Sequence, residues 1–132
     1  MYFQQGIDIV EINRISKVYQ RFGFNFLIKV LSRQELKIIP IQKQKRINFI
    51  SGRFVVKEAL VKALGTGFRD GLSFKNISVV NDSYGKPEIF FDKNFKNFLK
   101  KKVKDLNISV SISHEKKYCV ASVMIVGKEI ET

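Results

Sequence analysis

The spacing of apolar residues changes along the chain, and each change predicts a new secondary-structure element. Residues 2–10 have the composition and pattern of a strand. Residues 11–22 then follow a helical period, which places four apolar side chains on one face: Ile12, Ile15, Tyr19 and Phe22. Gly23 is expected to end this helix.

Six further elements are predicted between residues 25 and 103. Helices are expected over 25–31, 42–64 and 93–103. A further helix is expected to begin at the capping-box sequence Ser32-Arg33-Gln34-Glu35 and to end near Pro40. Strands are expected over 74–81 and 87–91, joined by a turn at 82–87. The element order mixes helices and strands without a repeating strand–helix unit.

The end of the chain predicts a hairpin. Residues 107–113 alternate between an apolar face and a face of serines, and residues 118–126 form a second strand that is apolar on both faces. His114 lies at the turn end of the first strand, where solvent can reach its side chain. The whole pattern predicts an α+β fold in which helices pack on one side of a mainly antiparallel sheet.

The length and charge of the chain narrow the possible functions. Its 132 residues fit one domain over 1–132, and apolar residues make up 45% of them, which is enough for a packed core. Lys and Arg total 24 against 12 acidic residues, giving a net charge of +12. This excess implies an acidic or phosphorylated partner, but composition does not choose among nucleic acid, anionic lipid, ligand and protein.

The chain has one cysteine and one histidine, too few for a disulfide framework or a typical zinc site. Cys119 is the only cysteine and His114 the only histidine, so neither an intrachain disulfide nor a zinc site is expected. Cys119 lies in an apolar run and is expected to be a buried, inert thiol. The N-terminus lacks the pattern of a secretion signal, and no segment approaches ~20 apolar residues, so we expect a cytoplasmic protein that does not bind membranes.

The segment 54–67, FVVKEALVKALGTG, carries the clearest chemical signal. Glu58 and Lys62 are four residues apart on one helix, which ends in Gly65-Thr66-Gly67. A carboxylate that can hold a hard cation, beside an ammonium that can neutralise phosphate oxygens, suits a metal-bound diphosphate. The simpler alternative is a solvated surface pair followed by a glycine C-cap, and the segment alone favours that alternative.

Two other segments change this balance. Asp8, in the strand sequence GIDIVE, lies between apolar residues, where an unpaired carboxylate would be costly, so it must be paired or ligated. His114 ends the sequence SISH and alone would be an ordinary turn histidine. In this order the segments GIDIVEINRI (6–15), GRFVVKEALVKALGTG (52–67), GKP (85–87) and SISH (111–114) resemble the holo-[acyl-carrier-protein] synthase family of 4′-phosphopantetheinyl transferases.

The resemblance implies a reaction. Members move 4′-phosphopantetheine from coenzyme A to a serine of an apo-acyl carrier protein in fatty acid biosynthesis and release adenosine 3′,5′-bisphosphate. By resemblance Asp8 and Glu58 bind Mg²⁺, and Lys62 stabilises charge on the phosphoryl group and the leaving oxygens. Glu58 and a metal-bound water remain alternative acceptors for the serine proton.

The resemblance also implies binding residues and partners. The residues that would line the coenzyme A site are Arg46, Arg53, Lys62, Gly65, Thr66, Gly67, Lys86 and His114. Compact members are homotrimers with sites between protomers, so His114 would come from the neighbour of the chain that supplies Asp8 and Glu58. On the first helix a basic stripe, consisting of Arg14, Lys17 and Arg21, would dock the acidic carrier protein.

This chain departs from the family pattern at two places, and two alternative functions remain. Gln4-Gln5 replaces a more usual Gly-Ile before Gly6, and Cys119 stands where a small residue is common. A small basic nucleic-acid-binding protein would explain the charge but not the three segments, so we expect no nucleic-acid partner. A catalytically inactive carrier-binding module is disfavoured because Asp8, Glu58 and Lys62 are all present.

Overall fold

The computed structural model describes residues 1–65, 67 and 72–130. Its helices are α1 (Ile12–Phe22), α2 (Phe24–Val30), α3 (Arg33–Lys37), α4 (Lys43–Leu64) and α5 (Lys93–Lys100). Its strands are β1 (Tyr2–Glu11), β2 (Ile77–Asn81), β3 (Pro87–Phe91), β4 (Val103–His114) and β5 (Tyr118–Glu129), and a 3-10 turn spans Phe74–Asn76. Helices and antiparallel strands in this order confirm the predicted α+β class.

The strands form two antiparallel sheets within the described residues. The larger has the order β1-β5-β4, and the smaller pairs β2 with β3. In the larger sheet Asp8 pairs with Ala121, and His114 pairs with Cys119 at the hairpin end. The expectation of one sheet was therefore too simple, because β3 and β4 pack together without ladder hydrogen bonds.

Helix α4 packs along one face of the larger sheet and forms the centre of the core. Val55, Val56, Ala59 and Leu60 are fully buried, as are Val123 and Ile125 of β5. The closest approach is at Gly6 of β1, where an added Cβ would lie 2.0 Å from the Ala59 carbonyl oxygen. Gly6 therefore permits contact between the two backbones. Cys119 of β5 is buried, as expected.

A buried ion pair joins α4 to the small helices and the smaller sheet. The Lys57 ammonium contacts Glu35 and also donates to the carbonyl oxygens of Val30 and Phe74, at 2.8 and 3.1 Å. Glu35 also accepts from the backbone amides of Ser32 and Val79, each at 2.8 Å. Burial lowers the pKa of Lys57 to about 8, although Glu35 opposes this shift.

Several predicted boundaries were wrong by three or more residues. Residues 74–76 form a 3-10 turn rather than the start of a strand, because Ser73 and Asn76 make a reciprocal capping box. Helix α5 ends at Lys100 rather than near 103, and β4 already begins at Val103. A register shift between Lys104 and Asn107 hides this early pairing from the alternating pattern.

Among the described residues no helix combines the length and the apolar character that crossing a bilayer requires.

The buried pair generates a stability prediction. Lys57→Met leaves the Glu35 carboxylate buried without its cation, so we expect the free energy of unfolding to fall by about 3–5 kcal/mol in urea titrations. The double variant Lys57→Met/Glu35→Gln should recover part of this loss because it buries no charge. Lys128→Met, which breaks an exposed pair with Asp105, should stay within about 0.5 kcal/mol of the native protein. Equal losses in the two single variants would contradict the prediction.

Candidate active site

The larger sheet places Asp8 against α4. Successive β1 side chains point to opposite faces, so Asp8 shares the inner face with Gly6 and Val10, while Ile7 and Ile9 point outward. The Asp8 carboxylate Oδ1 accepts a hydrogen bond from Lys62 Nζ at 2.8 Å, and its side chain is 18% exposed. This confirms that Asp8 is paired.

The partner of Lys62 differs from the one expected on the helix alone. Lys62 pairs with Asp8 rather than with Glu58, and it also donates to the Ile7 carbonyl at 3.3 Å. The lysine therefore extends from α4 to β1 instead of lying along its own helix. Its side chain remains 55% exposed, so the ammonium is available to an incoming anion.

The pKa of Glu58 is affected by Asp8 of β1 and by Lys62 of its own helix. Partial burial raises the pKa of Glu58, and the Asp8 carboxylate raises it further, whereas Lys62 lowers it. Two carboxylates that interact across a helix–strand contact repel each other unless a cation or proton lies with them. Lys62 supplies part of that charge, and a hard cation could supply the rest.

The donors present fit a cation that needs few protein ligands. Within the described part of the chain no group of three or more His, Cys, Asp or Glu side chains could hold a metal ion. Two carboxylates suit Mg²⁺, which keeps several waters and also binds phosphate oxygens. Asp8 and Glu58 are therefore the residues that would hold Mg²⁺.

The glycines after α4 have the conformations that a tight turn requires. Gly65 caps the helix with φ 73°, and Gly67 has φ 67°, both in the left-handed region. Thr66, which the sequence also assigns to coenzyme A, lies outside the described residues.

Arg53 and His114 line one cavity of about 350 Å³, away from the two carboxylates. Arg53 is buried, lies 3.8 Å above the Phe49 ring and donates from Nε to the Val79 carbonyl at 3.2 Å. Burial lowers the pKa of Arg53. Phe49 and Asn48 also line the cavity, and the sequence did not predict either of them. For Phe49 the available signal was its position four residues, about one helical turn, before Arg53.

Two predicted coenzyme A residues do not reach this cavity. The Arg46 guanidinium is bound by the Pro40 and Ile41 carbonyls and by Tyr19 Oη, so it holds the segment that precedes α4. Lys86 lines a separate cavity between β3 and β4. The proposed site residues of this chain therefore do not line a single continuous cavity.

The predicted basic stripe is exposed. Arg14, Lys17 and Arg21 are solvent-accessible along α1, whose opposite face buries Ile12 and Ile15. Arg21 lies 5.2 Å from the Phe22 ring centroid, and Phe22 is itself 52% exposed. The surface thus combines positive charge with an accessible aromatic ring.

Comparisons with known proteins give a consistent result. The profile of the 4′-phosphopantetheinyl transferase superfamily matches residues 4–123. The holo-[acyl-carrier-protein] synthase of Pelagibacter ubique is 43% identical over 125 residues, covering 93% of this chain and 95% of that protein. The synthase of Serratia proteamaculans is 41% identical over 122 residues, covering 92% and 95%.

Solved structures agree with the sequence comparisons. The crystal structure of the Neisseria meningitidis synthase superposes with a TM-score of 0.85 at 35% identity and covers 93% of this chain and 97% of that chain. The Helicobacter pylori synthase in complex with coenzyme A gives 0.77 at 33% identity, with 92% and 99% covered. The chain belongs to the 4′-phosphopantetheinyl transferase superfamily and, within it, to the holo-[acyl-carrier-protein] synthases.

The electrostatics of Glu58 generate a titration prediction. In Asp8→Asn the Glu58 pKa should fall, and in Lys62→Met it should rise, as measured by NMR of the side-chain carboxyl carbon. Because the folded-state pKa is raised, the stabilisation associated with Glu58 is present below its unfolded pKa and is lost as pH rises through the folded value. A bound cation competes with that proton, so cation binding should tighten over the same window. Shifts in the same direction in both variants would contradict the assignment.

Proposed function

We propose that this chain transfers 4′-phosphopantetheine from coenzyme A to a serine of an apo-acyl carrier protein and releases adenosine 3′,5′-bisphosphate. The observation that carries the proposal is the convergence of Asp8, Glu58 and Lys62 from β1 and α4, in a chain of this family. The Helicobacter pylori synthase, which binds coenzyme A, supports the choice of donor.

Asp8, Glu58 and Lys62 would have different roles in the transfer step. The serine oxygen forms a bond to the phosphorus attached to pantetheine while the bond to the nucleotide phosphate breaks. Lys62, which is exposed, places its ammonium beside the phosphate oxygens and offsets their charge. Mg²⁺ held by Asp8 and Glu58 would supply Lewis-acid stabilisation of the same oxygens. The serine proton would pass to Glu58 or to a water molecule in the site.

The Arg53–His114 cavity is proposed to bind the nucleotide part of coenzyme A. Arg53 keeps its guanidinium fixed against Phe49 and Val79, so a bound phosphate would require little reorganisation of the arginine. Gly85 of the β2–β3 turn and Pro87 at the start of β3 line the same cavity. We retain Lys86 and Arg46 as candidates only for contacts outside this cavity.

Removal of either carboxylate should stop the reaction. With coenzyme A, Mg²⁺ and an apo-acyl carrier protein, we expect Asp8→Ala and Glu58→Ala to lower transfer at least about a hundredfold, because each loses transition-state charge stabilisation. Mass spectrometry of the carrier measures the product directly. Glu88→Ala, an exposed glutamate on β3, serves as the matched control and should keep native turnover. Near-native turnover by either site variant at modest Mg²⁺ would refute the metal assignment.

We propose further that the protein is a homotrimer whose sites are completed by a neighbouring protomer. The outer face of the larger sheet supports self-association, because it exposes apolar residues from two strands: Phe3, Ile7, Ile9, Tyr118 and Met124. Completion by a neighbour would also explain why one protomer keeps its carboxylates apart from its own Arg53–His114 cavity.

Subunit mixing tests the shared site. If Glu58 and His114 act from different protomers, random mixing of Glu58→Ala and His114→Ala chains should restore about one quarter of the sites. The measurement requires verified subunit exchange and an impaired His114→Ala variant. A monomer by light scattering, or no recovery after exchange, would contradict the arrangement.

The basic stripe is proposed to dock the acidic carrier protein. Reversal of Arg14 and Arg21 to Glu should raise the KM for the carrier and leave the KM for coenzyme A almost unchanged, because long-range attraction acts on protein association. Salt should affect the native enzyme more than the variant, since screening extends over roughly 10 Å at 0.1 M. Equal damage to both KM values would instead place the stripe in the nucleotide site.

A further inference from the structure

A second cavity, of about 910 Å³, lies between α3, the β2–β3 sheet and α5, and we name it the basic cavity. Four cationic side chains from three different segments line it: Arg33 and Lys37 of α3, Lys75 of the 3-10 turn and Lys96 of α5. It shares no lining residue with the Arg53–His114 cavity and contains none of Asp8, Glu58 and Lys62.

The cations of the basic cavity form no ion pairs with the residues that the structure describes. In the described residues the ion pairs are Lys57–Glu35, Lys62–Asp8 and Lys128–Asp105, so none involves a cation of the basic cavity.

The one acidic residue that lines the cavity is already bound. Asp92 accepts hydrogen bonds from the Phe95 amide at 3.0 Å and from Asn76 Nδ2 at 2.6 Å. These donors are neutral and leave the charge of Asp92 in place, so four cations face one carboxylate in the lining. An anion in the cavity would offset the remaining positive charge and relieve the mutual repulsion of the cations.

The basic cavity also exposes apolar surface. Phe90 of β3 is 51% exposed and Ile38 is 50% exposed, and both line the cavity. The hydroxyl of Ser78, also in the lining, is already bonded to Ser32 Oγ at 2.7 Å and to Gln34 Oε1 at 2.9 Å. The lining thus offers cations and apolar side chains to a ligand, whereas the Ser78 hydroxyl already has hydrogen-bond partners within the protein.

We propose that the basic cavity binds an anionic amphiphile, a phosphate or carboxylate headgroup carried on a short alkyl or acyl chain. Its volume falls within the usual range of small-molecule sites, about 300–1,000 Å³. The headgroup contacts the four cations, and the chain packs on Phe90 and Ile38. A concave site of this kind favours a small ligand over an extended macromolecule. The inference does not depend on the transfer reaction.

Calorimetry tests the headgroup and the chain separately. Octyl phosphate, below its critical micelle concentration and at about 0.1 M salt, should bind the native protein saturably at one site. Inorganic phosphate should bind at least about fiftyfold more weakly, because each buried methylene contributes about fourfold and roughly three become buried. Octanoate tests whether a carboxylate headgroup is accepted as well.

Substitutions of residues that line the basic cavity test whether octyl phosphate binds there. Lys37→Glu/Lys96→Glu should weaken octyl phosphate binding at least about tenfold. The matched control Lys100→Glu/Lys104→Glu changes the net charge equally at exposed positions outside the cavity and should leave binding unchanged. Phe90→Ser should reduce the preference for octyl phosphate over inorganic phosphate, because it removes the apolar contact while keeping every cation.

Several outcomes would overturn the proposal. They are non-saturable binding, equal losses in the two charge-reversal pairs, and equal affinity for octyl phosphate and inorganic phosphate. Tight binding of a thymidine oligonucleotide that the cavity variants abolish, without octyl phosphate binding, would assign the surface to nucleic acid instead.

Discussion

The rest of the structure depends on the buried contact between Lys57 and Glu35. Through it α4 is tied to the end of α2, to α3, to the 3-10 turn and to β2. Since consecutive helical residues point about 100° apart, an inward Lys57 also fixes the direction of Glu58. A roll of roughly 10° about the helix axis would move a carboxylate ~6 Å from that axis by ~1 Å, enough to disturb a catalytic geometry. Gly6 fixes the remaining separation between β1 and α4.

Apolar spacing predicted most of the fold because each element buries one face. Prediction failed where a side chain or an irregular residue overrides that spacing. Ser73 and Asn76 cap residues 74–76, and this cap overrides the strand predicted from the apolar residues that follow. The early start of β4 left no regular signal, because Asp105 has a positive φ of 52° and interrupts the alternation.

In the candidate site, residues that are marked by local spacing were predicted, whereas contacts between residues distant in sequence were not. Glu58 and Lys62 were found from helical spacing and Asp8 from its position in an apolar strand, and the structure brings the strand and the helix together. The ion pair of Lys57 with Glu35 was not found, because the two residues are 22 apart in sequence and each alone looks like a surface charge. Arg46 was assigned to the nucleotide by family likeness, yet its guanidinium is bound by carbonyl groups next to its own helix.

The burial of Cys119 has a consequence for an enzyme whose substrate is itself a thiol. Disulfide exchange requires an accessible thiolate, and Cys119 is only 2% exposed with a pKa that burial raises. It is also the only cysteine in the chain. Cys119 does line the Arg53–His114 cavity, where we propose that coenzyme A binds, but its low exposure and raised pKa make it a poor nucleophile towards a disulfide. Oxidised coenzyme A is therefore expected to form a mixed disulfide with the folded protein only slowly.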